Sequence, residues 1–264
     1  MENFIFGRYM PGNSLVHNLN PAMKILISFY FIVIVFFANN YLTYALLFFL
    51  CFISLYLSKI SFGFFLKGIR PLILLIIITV LLQLFFSAGG HIYFSFWIFK
   101  ITSLGLISAA YIFMRFMLII TISTLLTLTT SPLAISYGIE KILSPLKKIH
   151  CPVDTIALMI SIALRFVPTL TDEATSIMNA QRSRGVDFGN GNLVKRIKSL
   201  IPLLVPLFVS AFKHADELSV AMEARGYSPE MKRTKFKSYL IGMNDYISMM
   251  LFFVISLMII FFRN

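Results

Sequence analysis

Charged residues are scarce in this sequence, and acidic residues are the scarcest. Only 13% of the 264 residues are charged, with 23 Lys and Arg against 11 Asp and Glu, whereas 58% are hydrophobic. The mean hydropathy of +0.86 leaves too little polar surface for a water-soluble domain, so a lipid bilayer must be the solvent. The net charge of +12 then fits basic cytoplasmic loops and attraction to anionic lipid headgroups, and we expect no nucleic-acid partner.

Residue sets typical of catalytic sites are also missing. The sequence has no Gly-x-x-x-x-Gly-Lys-Ser/Thr phosphate loop, so any ATP hydrolysis must come from another chain. Asp172-Glu173 is an isolated acidic doublet in the predicted cytoplasmic region, whereas Mg²⁺-diphosphate chemistry uses clustered aspartates. Four scattered histidines offer no metal-ligand spacing: His17, His91, His150 and His214. We therefore expect a non-enzymatic chain that binds no metal or cofactor itself.

The two cysteines do not predict a disulfide. Cys51 lies inside an apolar run, whereas Cys151 lies in a basic and polar stretch. The two thiols are therefore expected at different depths relative to the bilayer, too far apart for the short Cα separation that a disulfide needs.

Five apolar segments are candidates for membrane-spanning helices, because about 20 apolar residues are needed to cross the hydrocarbon core. The first segment is short and begins with a basic residue, Lys24, as a signal sequence does. We expect it to remain attached because another apolar segment follows it directly. These segments are residues 24–37, 41–57, 68–87, 105–128 and 246–262. The sequence therefore predicts an all-α integral membrane protein.

The basic residues of the short loops predict the orientation. Lys59, Lys67 and Arg70 lie between the second and third segments, while the turn at residues 38–41 carries no charge. Because Lys and Arg are enriched in cytoplasmic loops, we expect a cytoplasmic amino terminus. The loop at residues 88–103 then lies outside, in a multi-pass membrane protein.

Residues 130–240 contain most of the basic residues and two further apolar stretches, 153–170 and 200–212. Both stretches contain prolines, and the first also contains Arg165, which is costly at the centre of a bilayer. We interpret them as long amphipathic cytoplasmic helices. The predicted domains are thus a membrane domain at residues 1–129, a cytoplasmic coupling domain at 130–240 and a last transmembrane helix at 241–264.

The apolar positions of both stretches recur at helical spacing. Mutual packing of the two helices would explain these stripes, but the second helix has more apolar surface than one partner helix can cover. Surface of this extent indicates a protein or membrane-interface partner. The stripes are Val153, Ile156, Ile160, Leu164 and Val167, and then Ile197, Leu200, Leu204 and Phe208.

Both amphipathic stretches end in a similar motif, Ala-x-x-small-Arg-Gly. The motif residues are Ser183, Arg184 and Gly185 in the first copy, and Ala224, Arg225 and Gly226 in the second. One interpretation is ordinary helix C-capping, which favours Gly after the last turn and a cation near it. The other is partner binding, because a guanidinium can hold a carboxylate through two hydrogen bonds.

The same motifs give the sequence a resemblance to a known family. The chain resembles the transmembrane T-component (EcfT/CbiQ-like) of energy-coupling factor transporters, an ABC family that imports vitamins and metals. It departs from the family's paired Ala-Arg-Gly only at Ser183, which is equally small. The resemblance rests on Gly7-Arg8-Tyr9-x-Pro11-Gly12, Asn20-Pro21, the stretch SIALRFVP at 161–168, MNAQRSRG at 178–185 and MEARGY at 222–227.

The resemblance implies that this chain couples ATP hydrolysis to import. Arg184 and Arg225, with their small neighbours, would each dock into one of two homologous ATPase subunits, which bind the ATP and Mg²⁺. A small membrane-embedded substrate-binding subunit for vitamins or other micronutrients would rest on the second helix. We expect its contact residues to be Leu200, Leu203, Leu204, Leu207 and Phe208.

Two other functional classes make demands on the sequence. A membrane-embedded enzyme lacks the residue sets named above, and a stand-alone secondary transporter would place polar residues inside several spans. Only Arg115 clearly does so, and we expect it to have a structural role, paired with a backbone carbonyl or a neighbouring helix or placed at a buried helix junction. We interpret His214, Asp216 and Glu217 as the solvated face of a helix.

Overall fold

The structure is a computed structural model that describes residues 9–87, 89–96, 99–149, 151–188, 192–228 and 239–262. Gly7 and Arg8 of the amino-terminal motif lie outside these residues. The chain is almost entirely helical, which confirms the predicted fold class. The elements are α1 Leu15–Asn18, α2 Pro21–Phe37, α3 Tyr41–Ser58, α4 Phe62–Phe86, β1 Ile92–Phe96, β2 Phe99–Thr102, α5 Ser103–Thr129, α6 Pro132–Leu143, a 3₁₀ helix Ser144–Ile149, α7 Val153–Ser183, α8 Leu193–Ala224 and α9 Met243–Phe261.

Several helices are long and apolar enough to cross a membrane. Among the described residues there are five, namely α3, α5, α7, the Ile197–Ala224 part of α8, and α9. Three of them coincide with predicted spans. The predicted spans in α2 and α4 have shorter apolar stretches, Pro21–Phe37 and Leu72–Phe86. By length and composition, α7 and α8 could also span the membrane. Their cytoplasmic location therefore stays a prediction.

A short β-hairpin follows α4, where the sequence predicted only a loop. β1 and β2 pair antiparallel, with Phe96 opposite Phe99. Thr102 links the hairpin to both neighbouring helices: its hydroxyl donates to the Ser87 carbonyl at 3.1 Å and accepts from the Gly105 amide at 3.0 Å. The hairpin therefore fixes the end of α4 beside the start of α5.

The chain divides into two compact units, residues 1–142 with 239–264, and residues 143–238. In the first unit, α2, α3, α5 and α9 pack around one core that includes Phe31, Tyr44, Leu47, Leu118 and Ile259. The outside of this unit is also apolar, with large exposed side chains such as Phe29, Phe52 and Leu74. Such a surface suits lipid and not water. The cytoplasmic location of the second unit stays a prediction.

A buried polar junction holds the ends of three helices in the first unit. Asn20 caps α2 through its side-chain oxygen, which accepts from the Ala22 amide at 3.0 Å, and its side-chain amide donates to the Tyr239 carbonyl at 2.9 Å. The Asn20 backbone amide donates to Asp245 Oδ1 at 2.7 Å, and Asp245 Oδ2 accepts from the Gly242 amide at 2.8 Å. Asp245 therefore joins the start of α9 to the start of α2.

Lys24 completes this junction from within α2. Its ammonium donates to the carbonyl of His17 at 2.9 Å and to the carbonyl of Thr129, the last residue of α5, at 3.1 Å. The last carbonyls of a helix have no partner within the helix and form the negative end of its dipole, so a buried cation is stabilised there. The junction thus satisfies its polar groups within the chain, away from water.

In the second unit, α7 and α8 pack as an antiparallel pair. Glu173 of α7 accepts a hydrogen bond from the Ser210 hydroxyl at 2.8 Å, and its other oxygen lies 2.6 Å from His214 Nε2. Nearer the end of α7, the Gln181 side chain donates to the Pro202 carbonyl at 3.4 Å. The contact partners run in opposite directions along the two helices, so the helices are antiparallel.

The prolines of α8 explain the Gln181 contact. A proline inside a helix has no backbone N–H, so the carbonyl four residues before it loses its helical partner. Pro206 therefore frees the carbonyl of Pro202, and Gln181 of α7 supplies the missing donor. The carbonyl that lacks a helical partner in α8 thus forms a contact between the two helices.

We predict that Asp245→Ala destabilises the first unit. The substitution leaves the buried amides of Asn20 and Gly242 without an acceptor, which costs about 1–3 kcal/mol for a buried unsatisfied group. A lower Tm of the purified protein in mild detergent would show this. The exposed Asp216→Ala is the matched control, and an equal Tm for both variants contradicts the role of the junction.

We also predict that Glu173→Ala loosens the α7–α8 pair, because both contacts to α8 are lost, whereas the exposed neighbour Asp172→Ala does not. The measurement is the distance distribution between spin labels at Ser176 and Val220, with the two native cysteines replaced. The distribution should broaden only in the Glu173 variant. Indistinguishable distributions for the two variants would show that the Glu173 contacts do not hold the pair.

Candidate functional site

The two long helices end in the same backbone conformation. Helix α7 ends at Ser183 with Arg184 as its C-cap, and α8 ends at Ala224 with Arg225 as its C-cap. The next residue, Gly185 in one helix and Gly226 in the other, has a positive φ of 87° and 74°, respectively. The similarity of the two motifs in sequence is therefore also a similarity in structure.

The hydrogen bonds at both ends form the Schellman motif. In α7, the Val186 amide donates to the Gln181 carbonyl at 3.0 Å, and the Gly185 amide donates to the Arg182 carbonyl at 2.9 Å. The end of α8 has the same two bonds at 3.0 and 2.9 Å, from Tyr227 to Met222 and from Gly226 to Glu223.

The positive φ alone explains both glycines. A Cβ added at Gly185 or Gly226 would meet no atom within 4 Å, so close packing does not require glycine there. The left-handed conformation does, because a side chain is strained in it. C-capping therefore accounts for both glycines.

The hydrogen bonds of the caps do not involve the side chains of the two arginines. Both side chains are exposed, and within the described part of the chain neither guanidinium group forms a hydrogen bond or an ion pair. Their neighbours Ser183 and Ala224 are small, and the Ser183 hydroxyl bonds back to the Asn179 carbonyl at 3.2 Å. Each guanidinium is thus presented at a rigid helix end, with its donors available to another molecule.

The two arginines lie at opposite ends of the α7–α8 pair. Gln181, one turn before Arg184, contacts Pro202 of α8, and Arg225 lies 23 residues beyond Pro202. At 1.5 Å per residue this is about 35 Å along α8. One small ligand cannot reach both guanidinium groups, so the arrangement suits two separate binding sites.

The apolar residues that the sequence singled out on α8 fall into two rows. Leu203 and Leu207 are half-buried and share a row with Pro202, Pro206 and Ser210 on the side that faces α7. The other row is exposed and consists of Ile197, Leu200, Leu204 and Phe208. Mutual packing of the predicted stripes was therefore the wrong explanation for this row, because α7 covers the neighbouring one. The five predicted subunit-facing residues divide between the two rows.

The sequence interpretation of His214 was wrong. The sequence predicts a solvated side chain, whereas His214 is half-buried, bonded to Glu173 and stacked on the Phe166 ring at a centroid distance of 5.8 Å. Asp216 and Glu217 are exposed, as expected. The i,i+4 spacing of Ser210 and His214 was the available signal, because it places two hydrogen-bonding groups on one face of α8.

Metal-ligating residues are not grouped in the described residues: no three His, Cys, Asp or Glu side chains lie together as metal ligands would. The exposed guanidinium groups at the helix ends can bind acidic groups, and the exposed row of α8 can make apolar contacts.

Comparison with known proteins agrees with these features. The family model described as "Cobalt transport protein" (CbiQ) matches residues 12–236. An "Energy-coupling factor transporter transmembrane protein EcfT" of Lactococcus lactis is 54% identical over 237 residues, which cover 90% of this chain and 89% of that protein. The proteins of the same name from Listeria innocua and Bacillus subtilis are 53% identical over 237 residues (90% and 89% covered) and 46% identical over 263 residues (100% and 99% covered). The chain therefore belongs to the CbiQ family, among the transmembrane components of energy-coupling factor transporters.

Proposed function

We propose that this chain is the coupling scaffold of an importer, joining two ATPase subunits to a membrane-embedded substrate-binding subunit. The observation that carries the proposal is the pair of matching helix ends, each presenting an exposed arginine without a partner among the described residues. Two equivalent ends suit two equivalent partners. The chain itself is not an enzyme, and the ATPase subunits bind the ATP and Mg²⁺.

The chemistry of the helix ends supports ATPase docking. A guanidinium binds a carboxylate through two parallel hydrogen bonds, which a Lys ammonium cannot reproduce. The Schellman bonds hold Arg184 and Arg225 at defined positions, so less conformational entropy is lost on binding. Ser183 and Ala224 leave room for the walls of a groove around each helix end.

The exposed row of α8 supports contact with the substrate-binding subunit. Leu200, Leu204 and Phe208 have side chains that are 43%, 45% and 60% exposed, which is unfavourable in water. A hydrophobic subunit in the membrane would cover them. Its substrate would be a vitamin or another micronutrient, held by that subunit and not by this chain.

The charge pattern supports a cytoplasmic location for α7 and α8 in the bacterial plasma membrane. Arg165 and Glu173 lie in the interior of α7, and a charged residue at the bilayer centre costs about 2.5–3.5 kcal/mol on insertion scales. On this proposal the amino terminus is cytoplasmic too, because Lys59 and the neighbouring basic loop lie on the same side.

The coupling mechanism follows from the contacts between α7 and α8. Closure of the two ATPases would move the ends that bear Arg184 and Arg225. Because Glu173 ties α7 to Ser210 and His214, a displacement of one helix end is transmitted to the other helix. The exposed row of α8 then carries the motion to the substrate-binding subunit.

We predict that the Arg184→Ala, Arg225→Ala double variant loses the ATPases. Each substitution removes charge-assisted hydrogen bonds worth about 1.5–3 kcal/mol, so recovery of ATPase with the purified chain should fall at least about tenfold, and transport with it. Each single variant should release one ATPase, and Lys should restore little.

The control for these variants is Arg182→Ala, which removes an exposed arginine from the last turn of α7 without touching the cap. Its complex should form normally. Full ATPase recovery and full transport by the double variant would contradict the proposal.

A further prediction concerns the apolar row of α8. Leu204→Ala with Phe208→Ala should lower recovery of the small membrane-embedded subunit while both ATPases remain, because apolar contact area is lost only on that face. Quantitative mass spectrometry of the purified complex measures this. Val220→Ala, also exposed on α8, is the control. Unchanged recovery of the subunit with the double variant would show that the subunit binds another surface.

A further inference from the structure

Arg115 is a cation inside the membrane unit that the coupling function does not use. It lies near the middle of α5, and its guanidinium carbon is 5.2 Å from the centroid of the Phe36 ring. Its Nε atom is buried and has no hydrogen-bond partner. The sequence predicted a structural role, and the contact with Phe36 does link Arg115 to the neighbouring helix α2. Among the described residues, however, its side chain forms no hydrogen bond or ion pair.

Among the described residues of the first unit, the carboxylates are Glu140 in α6 and Asp245 at the start of α9, and neither forms an ion pair with Arg115. The sequence has no Asp or Glu from residue 3 to residue 139. Asp245 lies at the start of α9 and is bonded to the amides of Asn20 and Gly242. Lys24, a second cation in a helix of this unit, is bonded to carbonyls instead.

Arg115 lines an open cleft of about 650 Å³ between α2, α4 and α5. Two other polar side chains line it. The Thr79 hydroxyl bonds to its own helix, whereas the Gln83 side chain has no hydrogen bond among the described residues. The remaining lining is apolar: Phe36, Leu82, Phe86, Ile112, Phe116 and Ile119.

The level of the guanidinium decides which anion can reach it. Lys24 bonds to Thr129, so the start of α2 is level with the end of α5. Arg115 lies 14 residues before Thr129, which is about 21 Å along α5. We place the end of α5 at one edge of the hydrocarbon core, which is about 30 Å thick. Less than about 10 Å remains to the opposite edge, and an Arg side chain on α5 leans in that direction.

The ends of the neighbouring helices agree with this level. Phe36 is the second-last residue of α2, and Gln83 and Phe86 lie in the last turn of α4. Phe116 and Ile119 lie on the opposite side of Arg115, deeper in the hydrocarbon region. The cleft therefore has a cation and an amide near the headgroup level and apolar walls below them.

We propose that this cleft binds an anionic glycerophospholipid, with the phosphate on Arg115 and Gln83 and an acyl chain against Phe116 and Ile119. A guanidinium binds phosphate through two hydrogen bonds. The lipid supplies both an anion for Arg115 and an acyl chain for the apolar walls of the cleft. Lipid is the molecule that surrounds this unit, and its phosphate lies at the level that the Arg115 side chain reaches.

The test uses the full chain, with the subunits that purify with it, in phosphatidylcholine vesicles containing phosphatidylglycerol with a photoreactive acyl chain. After illumination, mass spectrometry should find the probe on residues 112–119 of α5. Arg115→Gln should lower this labelling at least about tenfold, because a charge-assisted contact is lost. Lys59→Gln, which removes an exposed cation from the end of α3, should leave it unchanged.

Competition in the unmodified protein does not depend on how the variant folds. Unlabelled phosphatidylglycerol should displace the probe, and phosphatidylcholine with the same acyl chains should not. Equal labelling in Arg115→Gln, or equal displacement by both lipids, overturns the proposal.

A photoreactive phenylalanine analogue at Phe86 tests the main alternative, a carboxylate of a partner protein. The proposal requires adducts with lipid at this position. Adducts with a protein chain instead of lipid overturn it, and the same analogue at Phe253 of α9, which does not line the cleft, is the control.

Discussion

Burial of polar groups away from water is the constraint on which the membrane unit depends. An unsatisfied donor or acceptor in hydrocarbon costs several kcal/mol, so each must find a partner within the protein. The junction of Asn20, Lys24 and Asp245 does so for the start of α2, the end of α5 and the start of α9. Three helices that are distant in sequence are thereby fixed at one level.

The same constraint separates residues that stabilise the fold from residues that act on other molecules. Glu173, His214 and Gln181 have partners within the α7–α8 pair, so they contribute to a rigid pair of helices. Arg115, Arg184 and Arg225 have none among the described residues. An arginine donor without a partner in a defined structure is available for a ligand, and we propose a phosphate for Arg115 and a partner carboxylate for the helix ends.

Apolar runs predicted most of the helices, and the Arg-Gly motifs predicted where two of them end. Both are local features of the sequence. The fold class and the matching ends at Gly185 and Gly226 could therefore be predicted. The contacts of Glu173 with Ser210 and His214 could not, because they depend on how two helices are rotated against each other. The same rotation divides the predicted apolar set of α8, placing Leu203 toward α7 and Leu204 away from it.

The stoichiometry of the native assembly tests the coupling role most directly. Native mass spectrometry of this chain, released from its own membrane in mild detergent, measures the mass of each intact complex. Coupling through two helix ends predicts one copy of this chain with two ATPase subunits and one small membrane protein. A chain released alone, or with a single ATPase that occupies both arginine ends, would contradict it.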